Sequence, residues 1–169
     1  MLEKFYPDRI ENSTYEIDFN ELYRSGKRGI IFDIDNTLVP DGANSDERSE
    51  KLFRDLSDIG FKTCLISNND EERVKRFNKN IGTFYVFKAG KPSAKGYVEG
   101  MKKMGTSKKQ TIFIGDQLFT DVWGAKRLGM DNICVKPIDK HEEIQIILKR
   151  KLERIVFWSY KRKMKHDSK

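Results

Sequence analysis

The 169-residue chain has little of what builds disulfide frameworks or zinc knuckles, with two cysteines and two histidines. Cys64 and Cys134 lie far apart inside the apolar runs TCLI and ICVK. That placement reads as two reduced core thiols in a cytosolic protein rather than a disulfide. A zinc site wants clustered Cys and His, and His141 and His166 do not supply one. No window approaches the ~18 consecutive apolar residues of a membrane span. The start, MLEKFYPDRI, has no apolar core of signal-peptide length. Internal repeats, low-complexity stretches and Pro/Gly-rich linkers are also missing, which predicts one cytoplasmic domain that crosses no bilayer.

What is present can build a core. Hydrophobic residues make up 37% of the chain and include eleven Phe, which excludes the aromatic-poor composition of a disordered segment. A domain of this length removes roughly 70% of its extended-chain surface from water, so it needs no covalent staple.

Charge is unevenly placed. Residues 149–169 hold nine Lys/Arg against Glu153 and Asp167, while the other 148 residues carry 24 basic and 24 acidic side chains. The net charge of +7 therefore sits in the C-terminal segment.

From residue 29 onward, short β-rich runs alternate with helical patterns. GIIFDI (29–34), KTCLIS (62–67), TFYVFK (83–88), TIFIGD (111–116) and NICVKP (132–137) are the near-continuous apolar runs of parallel strands covered on both faces. Helical windows fall near 46–59, 70–80, 93–104, 120–129 and 139–157. Leu52, Leu56 and Ile59 keep one-face spacing, and Gly60, Gly82, Gly105 and Gly129 mark helix ends. Asp139 and Glu142 read as a capping box opening the last helix. The expected fold is α/β, a Rossmann-like parallel sheet with helices on both faces joined by right-handed crossovers. Residues 1–28 form an N-terminal arm with a short helix near 19–25, 29–137 the α/β core, and 138–169 a C-terminal helix and basic tail.

In such a sheet, ligands bind outside the carboxyl ends of the strands. Those ends carry Asp33 and Asp35, then Ser67 with Asn68 and Asn69, then Lys91, then Asp116. Residues two apart on an extended chain point to the same side, so Asp33 and Asp35 can share a site. Two ionised acids that close repel, and a cation or a raised pKa resolves the conflict. Both outcomes suit phosphoryl transfer, which needs a nucleophile, an acid for the leaving oxygen and positive charge around the non-bridging oxygens. Asp33 can attack phosphorus and Asp35 can protonate the leaving group, then activate water. Ser67 and nearby backbone N–H groups, with Asn36, Thr37 and Asn68 beside them, can hold phosphoryl oxygens, and Lys91 can neutralise their charge. Asp33, Asp35 and Asp116 can hold a hard divalent cation, and Mg²⁺ fits oxygen donors of this kind. Each residue also has a plainer reading: an Asp-rich turn after a strand is often an Asx turn or N-cap.

These residues resemble the haloacid dehalogenase superfamily of phosphatases, whose four motifs fall in this order at these strand ends. The matches are DIDNT (33–37), Ser67 in ISNN, Lys91 in GKP, and GDQLFTD (115–121). The resemblance implies Asp33 as nucleophile, Asp35 as acid/base, Lys91 rather than Lys95 as the motif lysine, and a Mg²⁺ cofactor held with Asp116 and Asp121. It also implies strands in the order 5-4-1-2-3. PDRIENSTYEID upstream and GDQLFTDVWGAKRLG downstream are similar to the YqeG-type branch of subfamily IIIA, which includes phosphatidylglycerophosphate phosphatases. Leu38 to Asp46 leaves room only for a flap, and Ser67 to Lys91 for one helix and one strand, so the protein reads as capless. An open site favours a phosphate presented on something large, such as a lipid surface.

The tail surrounds Ile155, Val156, Phe157, Trp158 and Tyr160 with Lys and Arg. That composition suits peripheral contact with an anionic membrane and would also attract nucleic acid. Equally, Ile144, Ile147, Leu148 and Leu152 would pack a last helix on the sheet before a solvated end. Three functions follow: a lipid phosphatase, a phosphatase of soluble or protein-bound phosphate, or an RNA- or ribosome-binding module.

Overall fold

Strand β2 (Gly29–Phe32) is buried along its whole length, and the sheet extends outward from it in both directions. The computed structural model describes residues 2–139 and 144–167, with the side chains of its last helix described from Lys149 to Lys165. In chain order the elements are β1 (Arg9–Glu11), α1 (Phe19–Arg24), β2, α2 (Glu47–Ile59), β3 (Lys62–Ile66) and α3 (Glu71–Asn78). They continue with β4 (Phe84–Val86), α4 (Ala94–Met104), β5 (Thr111–Gly115), α5 (Trp123–Leu128), β6 (Asp131–Val135) and α6 (Ile144–Asp167). All strand pairs are parallel, in the order β1-β6-β5-β2-β3-β4. Setting β1 aside, this is the expected 5-4-1-2-3 order.

Period-2 alternation divides the core between the two faces. Ile30, Phe32, Ile112 and Ile114 point to the face covered by Leu52, Phe53 and Leu56 of α2 and by Val74 and Phe77 of α3. Ile31 and Phe113 point the other way, onto Tyr97 and Met104 of α4 and Ala125 of α5. Both cysteines are free and buried. Helix α2 starts at a capping box in which Asp46 and Ser49 exchange side-chain-to-backbone bonds, satisfying two N–H groups that the helix leaves over.

Three features depart from the sequence reading. Residues 1–28, expected to be irregular apart from one helix, contribute an additional strand, β1, which pairs with β6 in the register Arg9↔Ile133. Asp8 secures it: Asn132 donates to the Asp8 carboxylate from its backbone N–H at 3.0 Å and its side-chain amide at 2.7 Å. The window near 120–129 opens with a π-helical turn, Leu118–Val122, before α5. Helix α6 continues to Asp167 through the basic segment, because Lys and Arg are good helix formers. Of the residues expected to pack that helix, Leu152 is 53% exposed, while Val156 and Glu153 are the buried ones. His141, Glu142 and the side chains of Ile144, Ile147 and Leu148 lie outside the described residues.

Candidate active site

The β2 chain runs from an apolar strand directly into Asp33, which is only 7% exposed. After it the backbone turns: Thr37 and Leu38 both donate their N–H to the Ile34 carbonyl, and Asn36 donates to Val39. Asn36 sits at φ 62°, a left-handed conformation that Asn tolerates better than most residues. Its side-chain oxygen accepts from the Asp139 N–H at 3.0 Å. Asn36, expected among the phosphate contacts, thus ties this turn to the segment after β6.

Three buried carboxylates meet below the turn. One ligand oxygen from each of Asp33, Asp116 and Asp121 lies within 4.8 Å of the others. Lys91 Nζ sits between two of them, 2.5 Å from Asp33 Oδ1 and 2.7 Å from Asp121 Oδ1. The Thr37 hydroxyl is within hydrogen-bond reach of Asp33 at 3.2 Å and Asp116 at 3.3 Å. Asp121 Oδ2 accepts from the backbone N–H groups of Asp116 and Gln117, each at 3.1 Å. This packing requires Gly115, because a Cβ there would stand 2.5 Å from Asp121 Oδ2. The π-helical turn carries Asp121 into place, and the Tyr97 hydroxyl is 3.0 Å from both the Thr120 and Asp121 carbonyls.

Asp35 stands apart from that group. Its carboxylate accepts from Arg73 Nη2 at 2.6 Å and the Gly42 N–H at 2.9 Å on one oxygen, and from the Asn69 amide at 2.9 Å on the other. Ser67 is buried, and its hydroxyl accepts from the Asn69 N–H at 3.1 Å. Asn68 uses both ends of its amide on the Lys91 backbone, at 2.7 and 3.1 Å. It therefore shapes the Lys91 loop, whose Lys91–Pro92 peptide bond is cis.

Electrostatics marks two of these acids, Asp33 and Asp116. Burial pushes the Asp33 carboxyl up to about 7, with Lys91 opposing the rise and Asp121 adding to it. Asp116 is held well above the usual carboxylate range by burial and by the Asp33 and Asp121 charges, against the pull of Arg150. Burial works against the charge on Lys91, yet the Asp121 and Asp33 carboxylates outweigh it and hold its pKa up. Three acids against Lys91 and Arg150 leave the site short of positive charge. A hard cation would supply it, and an all-oxygen donor set is of the type that binds Mg²⁺.

Three contributors had no sequence signal. Arg73 is a helix residue four positions past Asn69, and nothing in its spacing marks it as the partner of Asp35. Arg150 belongs to the basic segment, yet its Nη2 pairs with the Asp116 carboxylate and its Nη1 donates to the Asp116 carbonyl at 2.9 Å. Glu153 sits one turn on, 3% exposed. It accepts from Arg150 at 2.9 Å and from the Leu118 N–H, at the start of the π-helical turn, at 2.8 Å. A helix far along the chain thus grips the Asp116 loop at both ends.

Comparison with known proteins agrees with this geometry. The family described as haloacid dehalogenase-like hydrolase matches residues 44–129, and the chain is 36% identical over 165 residues to the "Probable phosphatase YqeG" of Bacillus subtilis, covering 96% of both. The chain is a haloacid dehalogenase-like hydrolase. Within the family it is also 29% identical over 148 residues to the chloroplastic/mitochondrial phosphatidylglycerophosphate phosphatase 1 of Arabidopsis thaliana, spanning 81% of this chain and 42% of that protein. The hydrolase fold is shared with the deoxy-D-mannose-octulosonate 8-phosphate phosphatase of Haemophilus influenzae, with a TM-score of 0.50 at 15% identity over 80% of this chain and 90% of the other. Family and relative together make the chain a phosphatase of this family.

Proposed function

We propose that this phosphatase is Mg²⁺-dependent, works through an aspartyl phosphate on Asp33, and takes phosphatidylglycerophosphate as substrate. The observation that carries the proposal is the buried group of Asp33, Asp116 and Asp121 with Lys91 between them. Asp33, Asp116 and Asp121 would hold Mg²⁺, which neutralises charge on the transferring phosphoryl group.

The side chains divide the remaining work. An Asp33 carboxylate oxygen attacks phosphorus as the bond to the leaving oxygen breaks, and Asp35 gives its proton to that oxygen. Water then attacks the phosphoryl group, Asp35 takes the water's proton, and phosphate leaves with Asp33 regenerated. Arg73, Asn69 and the Gly42 N–H fix the orientation of Asp35 for both transfers. Ser67 and Lys91 face the phosphoryl oxygens, while Thr37, Asn36 and Asn68 set the loops that surround them. Lys91 stays protonated across the working pH range, because its two carboxylate partners hold it so.

Lipid as substrate is supported by likeness to the Arabidopsis phosphatase, by short connections from β2 to α2 and from β3 to α4 that hold no cap domain, and by α6. Among the described residues no helix is long and apolar enough to cross a membrane. Helix α6 nonetheless exposes Leu152, Ile155 and Trp158 by 53%, 57% and 62%, an outward stripe at helical spacing flanked by Lys and Arg. Such a face suits an anionic lipid surface, where each cation adds roughly 1 kcal/mol.

The test is phosphate release from phosphatidylglycerophosphate in mixed micelles, with Mg²⁺ or with chelator, for the wild type and Asp33→Asn. Release that needs both metal and Asp33 is the expected result. Cleavage of aryl phosphate but not of lipid would leave the chemistry standing and remove the substrate.

A further inference from the structure

Helix α6 presents a second face that the chemistry above leaves unused. Arg150, Arg154, Phe157 and Lys161 follow one another at spacings of four, three and four, so they form one stripe. That stripe forms one wall of a cleft of about 550 Å³. The β1–β6 edge contributes Ile10 and Val135 to the lining, Pro137 follows β6, and Asp116 also lines the cleft. The cleft therefore abuts the carboxylate group on the side of Asp116 away from Thr37, whose hydroxyl approaches Oδ1 while Arg150 holds Oδ2.

Among the described residues its charge is not balanced from within. Arg150 serves Asp116 and Glu153, and Lys136 donates to Asn12 at 2.6 Å. Lys151, Arg154 and Lys161, which also line the cleft, are exposed and have no carboxylate partner among the described residues. The one other acid on the wall is Asp139. Three cations with no carboxylate partner among the described residues, over an apolar floor and next to a phosphomonoester site, form a receptor for an anion joined to an apolar group. The volume is that of a small-molecule pocket.

We infer that this cleft is a subsite for the leaving-group side of the substrate. It would bind a second anionic group, a phosphodiester above all, that sits a few bonds from the phosphomonoester under attack. The inference rests on the phosphatase reading and adds a requirement to it: the preferred substrate carries two phosphates, one cleaved and one held. Arg154 and Lys161 hold the second phosphate, Lys151 adds charge at the rim, and Phe157 with the strand edge receives the carbon skeleton beyond it.

The test uses two soluble substrates so that membrane binding plays no part. Deacylated phosphatidylglycerophosphate offers the monoester and the diester, and glycerol 3-phosphate offers the monoester alone. Wild-type kcat/KM should favour the first. In Arg154→Glu and Lys161→Glu that preference should fall about tenfold each, mostly through KM. Arg154→Gln should give a smaller fall in the same direction, which guards against a folding effect of charge reversal. Lys102→Glu, an equal charge change on α4, should leave the preference unmoved.

An equal loss on both substrates, or no loss on either, would overturn the subsite. So would a loss seen only with diacyl substrate in vesicles, since the cations would then be meeting the lipid surface. If the wild type cleaves neither soluble ester nor the lipid, the phosphatase reading itself fails. The subsite then stands or falls on NMR titration of labelled protein with glycerophosphoglycerol, the diester alone. Shifts along α6 that disappear in Arg154→Glu support it, and their absence from the wild type refutes it.

Discussion

The two oxygens of Asp116 face two differently built halves of the molecule. Oδ1 faces Thr37, whose hydroxyl also reaches Asp33, and Lys91 links Asp33 to Asp121; each stands on a strand end or in the segment that follows one. On the Oδ2 side stand Arg150 and Glu153, delivered by a helix that belongs to no strand-end motif. The first half is close-packed and its polar atoms answer one another at 2.5–3.3 Å. The second opens onto a cleft lined by Lys151, Arg154 and Lys161. The fold thus separates a close-packed carboxylate group, which the sheet fixes, from a helix-lined cleft, to which we have assigned the rest of the substrate.

That division breaks most clearly at Asp33. Asp33→Asn should lower kcat by about 10⁴-fold or more in a folded protein, read by phosphate release alongside circular dichroism. Comparable activity in the variant would move the nucleophile elsewhere.

The electrostatic half of the comparison can be read without turnover. A carboxyl raised in the folded state keeps its proton more tightly there, so its contribution is complete below the ordinary value of 3.8 and is lost as pH climbs toward about 7. In chelator, wild type should therefore lose stability relative to Asp33→Asn across that window, by up to about 4 kcal/mol. Urea melts of both proteins at pH 4 and pH 7.5 check the sign; parallel curves would mean that Asp33 titrates as an ordinary acid.

On the helix side, Arg150→Ala leaves Asp116 and Glu153 without their shared cation. A loss of about 3 kcal/mol is expected, measured by urea unfolding. A change near zero would show that α6 only rests on the domain. The smallest effect should come from Asp8→Ala, which removes the carboxylate that pins β1 to β6, at about 1 kcal/mol. Hydrogen exchange at residues 9–11 should rise while that of β2 stays unchanged.

How much of this could be read beforehand follows the same line. Strands β2, β3, β5 and β6 are apolar runs, so the placement of Asp33, Ser67 and Asp116 at strand ends could be read directly, while their roles remain our proposal. Lys91 needed the Lys-Pro resemblance. Strand β1 has a single apolar residue, Ile10, and its pairing depends on an edge formed far along the chain. Arg73 and Arg150 look like any solvated helix arginine, since their roles come from where α3 and α6 dock. The π-helical turn is invisible to a 3.6-residue period because it exists to lodge Asp121 under Gly115. The basic segment stands out by its total charge, whereas the structure sorts that charge by face: one lines the cleft, with Arg150 at Asp116, and another points outward.

The pairing of β1 with β6 also sets an order of events during synthesis. Asp8 and its partner Asn132 are 124 positions apart. A ribosome adding about 5–20 residues per second makes the second some 6–25 s after the first. Through that interval the earliest strand has no edge to join, and the helix carrying Arg150 comes later still. The nascent hydrolase can complete β2 and β3 while Asp116 still lacks its clamp, so the carboxylate group is built before the helix that holds its outer side.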